Sequence, residues 1–151
     1  MKKLFVIISL IFCYRSAYAG STMQPVLIPP AVNISSVSAQ TGGQAQVLIT
    51  TPTSSGAYSS GYFTYLTDVH IEMYPTSTLV GAGGPVYCTS AGIGGTPEWG
   101  FSTNASSGTV VITDVQYANP LQATQATNVT ITCPATSNVK WNMNVSYYSA
   151  P

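Results

Sequence analysis

Three ionisable side chains stand at alternate positions in the stretch TDVHIEMY: Asp68, His70 and Glu72. If the segment is a strand, they share one face, with second neighbours about 6.5–7 Å apart at the α-carbons. Carboxylate, imidazole and carboxylate are ligand types for a divalent cation, and they are also the groups that move protons near neutral pH. Against that stands a shortage of ligands. His70 is the only histidine in the chain, so zinc sets with two or three histidines are unavailable. A calcium site draws several oxygens from a loop, which this segment does not provide. A long sandwich strand also needs a polar row on its wet face. The expectation is a solvated strand face, with a metal or acid–base site through Asp68, His70 and Glu72 as the lesser alternative. Nothing local directs the other two acids, Glu98 and Asp114, towards this row.

Other reactive layouts are weaker. A Ser–His–Asp arrangement would have to use His70, and serine is too abundant for any match to be informative. No G-x-S-x-G elbow occurs. The clusters GAGG (81–84) and GIGG (92–95) lack the lysine and the strand–helix setting of a phosphate loop. The chain reads as a non-enzyme with no cofactor.

Aromatic residues offer a second chemistry. Ten tyrosines and two tryptophans accompany few charges. Tyr58 and Tyr62 fall in or beside a Ser/Gly-rich loop, Trp99 in PEWGF, and Tyr148 on the wet side of the last strand by parity. Such rings stack on sugars, and these four are the candidate ligand-binding residues of a lectin-like module. The competing reading is that they cover sheet faces. Trp141 is expected to be a core anchor whose indole N–H needs one partner.

These residues sit on an exported framework. MKKLFVIISLIFCYRSAYAG opens with Lys2 and Lys3, continues through an apolar run from Leu4 to Cys13, and ends on Ala17-Tyr18-Ala19. That is the layout of a signal peptide over 1–19, and the run is too short to span a membrane. Bulky Phe12 argues against a lipid anchor at Cys13. After cleavage one base, Lys140, faces the four acids Asp68, Glu72, Glu98 and Asp114, a formal charge of minus three. No basic patch is left for nucleic acid or an anionic membrane. Cys88 and Cys133 are expected to form a disulfide in an oxidising destination: extracellular, cell-surface or periplasmic.

Residues 20–30 (GSTMQPVLIPP) read as an extended N-terminal arm, because Pro25, Pro29 and Pro30 confine Val26–Ile28 to an edge. Residues 31–151 read as one domain. Strands are expected over 31–38, 44–50, 62–74, 85–89, 108–117, 128–133 and 139–148, from their β-branched and aromatic content between Gly/Pro-rich turns. SAGIGGTPEWGF is expected to be irregular, with Trp99 in a loop or at a strand start, and Leu121–Ala126 at most a helical turn. Parity in the third strand places Tyr65, Thr67, Val69, Ile71 and Met73 opposite the ionisable row. In the last strand it places Val139, Trp141, Met143, Val145 and Tyr147 inside. The pattern predicts an antiparallel β-sandwich, Ig-like or jelly-roll, with one disulfide. The function that fits is structural or adhesive, by self-association or contact with another surface protein, with glycan binding as the alternative.

Overall fold

The computed structural model describes residues 31–53, 61–79 and 84–151. The expected leader, the arm and Tyr58 lie outside them. Eight strands follow in order: β1 (Asn33–Ser38), β2 (Ala45–Ile49), β3 (Phe63–Pro75), β4 (Val86–Ala91), β5 (Glu98–Phe101), β6 (Val111–Gln122), β7 (Val129–Cys133) and β8 (Val139–Ala150). They form two antiparallel sheets of four, ordered β1-β8-β3-β6 and β2-β7-β4-β5. The first strand pairs with the last, β2 with β7, β3 with β6, and β4 with β5. The chain is thus one long hairpin, rolled so that β8 also meets β3 and β7 also meets β4. That nesting is a jelly roll and decides between the two sandwich types the sequence left open.

Alternation builds the core. In β2, Ala45, Val47 and Ile49 point inward while Gln46 and Leu48 point out, and β7 repeats this with Val129, Ile131 and Cys133. In β8, Val139, Trp141, Met143 and Val145 are buried and Tyr147 packs partly buried beside them, as parity requires. The Trp141 indole donates to the Pro134 carbonyl at 2.9 Å, and its ring meets Phe101 edge-on at 5.1 Å. Two buried hydroxyls, Thr51 and Thr64, satisfy one another at 2.6 Å, and Thr51 also donates to the Thr127 carbonyl. The Cys88–Cys133 disulfide joins β4 and β7 inside the second sheet, with both residues fully buried.

Three expectations need correction. A bulge between Leu66 and Asp68 shifts the register of β3 against both neighbours. Thr64 and Leu66 point inward before it, and Val69, Ile71 and Met73 after it. Tyr65 therefore shares the outer face with the ionisable row instead of opposing it. The PEWGF segment is regular: Glu98–Phe101 forms β5 on β4, with Trp99 one residue inside its start. Leu121 and Gln122 end β6 opposite Leu66 and Tyr65, and Ala123 bridges to Ile93, so no helical turn forms there. The GIGG cluster begins with a structural glycine. Gly92 has φ +82°, and a Cβ there would collide with the Asn128 carbonyl oxygen, so only glycine fits.

Candidate functional site

Strand register turns the alternate row of β3 into part of a grid. Across the outer face of the first sheet, Ser36, Asn144, His70 and Asp114 stand in one line. Ser38, Asn142, Glu72 and Ile112 stand in the next, and Ile34, Ser146, Asp68 and Gln116 on the other side. The face is polar in its middle and apolar at two opposite corners, where Ile34 is 72% exposed on β1 and Ile112 is 55% exposed on β6. A broad open groove runs past Asp68, His70, Asp114, Gln116, Asn144 and Tyr117.

Glu72 is the hub of this grid. Its Oε2 accepts from the Tyr74 hydroxyl at 2.6 Å and the Asn142 amide at 2.8 Å, and its Oε1 lies 3.2 Å from His70 Nε2. The Tyr74 bond first, then those from Asn142 and His70, hold its carboxyl down at about 2. The same bond pushes the Tyr74 phenol above its ordinary value. On the other side of the ring, His70 Nδ1 lies 3.7 Å from Asp114 Oδ2. Asp68 is raised above the ordinary carboxylate value, first by desolvation and then by the charge of Asp114, with His70 opposing. Asp114 was unassignable from local sequence, and its arrival depends wholly on the β3–β6 register.

The arrangement is rich in hydrogen bonds and poor in open ligand positions. Both Glu72 oxygens are engaged within the sheet. Among the described residues no three His, Cys, Asp or Glu side chains converge in a way that could hold a metal ion. Asp68, His70 and Glu72 do share one face, where they form a charged, hydrogen-bonded surface. Glu98 stands apart on β5, in the other sheet.

The aromatic candidates are scattered. Trp99 is only 5% exposed and belongs to the core, so its ring is occupied by packing. Burial raises the Tyr117 phenol above its ordinary value, the Trp99 indole opposes this, and the charge of Asp68 raises it further. Tyr62 precedes β3, with its backbone N–H on Pro52 and its carbonyl accepting from Ala126. Tyr148 stacks on Tyr65 at 4.9 Å with the rings 15° from parallel, and Gln122 donates to the Tyr65 hydroxyl at 3.2 Å. This half-buried pair on the outer face escaped the sequence reading because the bulge reversed the parity of Tyr65. Comparison with protein-family models, curated proteins and solved structures finds no match to the chain.

Proposed function

We propose that this chain is an exported, non-enzymatic structural or adhesive protein that works through its surface in an extracellular or cell-surface assembly. The observation that carries this reading is the division of chemistry between inside and outside. The interior is filled by apolar side chains, one disulfide and a satisfied threonine pair. The ionisable grid lies on an open sheet face bounded by two edge strands, β1 and β6. Outside the leader the charge is low, so repulsion between copies is weak. A buried disulfide suits an oxidising destination. Among the described residues no helix is long and apolar enough to cross a membrane.

Electron microscopy of the secreted chain tests the proposal. Ordered polymers or a cell-surface layer are expected, and secreted material that remains single particles at high concentration contradicts it. A second reading, glycan binding, draws support from the Tyr65–Tyr148 pair beside hydrogen-bonding Gln122. It predicts signal on a glycan array that falls at least tenfold in Tyr148→Ala, and a parent chain that binds no glycan removes it.

A further inference from the structure

The first sheet ends on two strands of unequal kind. Within the described residues β1 pairs only with β8, and β6 only with β3, so each has one free edge. The regular part of β6, from Val111 to Gln116, precedes the irregular Tyr117–Pro120 stretch where the register breaks. Its first half carries no charge, and Val110 and Ile112 are exposed beside it. Lysine, proline and strong twist are the usual protection of such an edge, and Val110–Thr113 has neither of the two residues. The free edges of the second sheet are shorter: β2 has 5 residues and β5 has 4.

The chain supplies a matching segment. GSTMQPVLIPP, residues 20–30, is uncharged, and its Val26-Leu27-Ile28 is bracketed by prolines that allow pairing along one side only. It joins the domain at the β1 edge, three strand spacings from β6, or roughly 14 Å. The β1–β8 pairing begins at Asn33 opposite Tyr147, three residues before the end of β8. Reaching its own β6 would take this apolar segment across the grid of Asp68, His70, Glu72 and Asp114. A neighbouring copy with its β6 laid beside β1 presents the uncharged Val110–Thr113 part of that edge without the crossing.

We infer that residues 20–30 of one copy add a strand to the β6 edge of the next copy, joining first sheets head to tail. The contact uses different surfaces on the two copies, so it does not close on itself and it propagates. This rests on the assembly reading above and specifies its junction.

Two variants with complementary defects test it, each checked for a parental melting transition. One lacks residues 20–30, and the other carries Val110→Lys with Ile112→Lys on the exposed acceptor edge. Each alone is expected to sediment as a monomer, while an equal mixture gives a dimer and nothing larger, since each copy keeps one half of the junction. A synthetic GSTMQPVLIPP peptide in excess is expected to shorten parental polymers at least severalfold. If the parent polymerises and the arm-deleted chain polymerises equally, the inference is overturned and the assembly reading survives. If the parent itself stays monomeric, both are overturned.

Discussion

Glu72 sets the behaviour of the outer face because three donors converge on one carboxylate. Its pKa lies near 2 in the folded protein against an ordinary 4.5. A depressed carboxylate stabilises the fold above its unfolded value and loses that contribution as pH falls through the folded one. Glu72→Gln is therefore expected to lower the melting temperature at pH 6 and to leave it nearly unchanged near pH 2, a difference read by calorimetry across that window. Asp68 has the opposite sign. Its carboxyl is raised above 3.8 by desolvation and by Asp114, so its ionised form costs stability at neutral pH. Asp68→Asn should raise the melting temperature at pH 7 and lose that advantage below pH 3.8. In the core, Trp141→Ala removes a buried ring and orphans the Pro134 carbonyl. A loss of about 3–5 kcal/mol in denaturant unfolding is expected.

At the scale of the element, sequence legibility followed how local each determinant was. The last strand is readable from end to end because its inside residues alternate without interruption from Val139 to Val145. The third strand is readable only after Asp68. Its bulge is the extra residue Thr67, left without a register partner against both β8 and β6, and no pattern within TYLTDV reports it. Strand β5 was hidden because Gly100 and Pro97 suppress strand propensity, whereas pairing with β4 and burial of Trp99 and Phe101 override it. The disulfide was legible from the cysteine count and the signal-peptide-like opening of the sequence, although its placement within a single sheet was not. It closes a loop with a sequence separation of 45. Replacing Cys88 and Cys133 together by alanine is expected to cost about 4 kcal/mol, measured by chemical denaturation, with no change in the strand signal of circular dichroism. Gly92→Ala should be comparably severe for its size, since both its positive φ and the nearby Asn128 carbonyl oppose a side chain.

For the whole molecule, the jelly roll buries the apolar side chains that face between its two sheets and leaves Ile34 and Ile112 exposed on the outer face of the first. Nothing local in the sequence distinguished this roll from an Ig-like sandwich, because the choice lies in which strands pair across the whole chain. The same long-range pairing brings Asp114 to His70 and puts Ile34 and Ile112 at opposite corners of one face. We propose that the outer face of the first sheet and its edges serve contact between molecules. Sedimentation velocity on residues 20–151 over a wide concentration range tests this proposal. Species that lengthen with concentration by whole copies of the chain are expected. A single monomeric boundary that stays unchanged up to millimolar protein would contradict it.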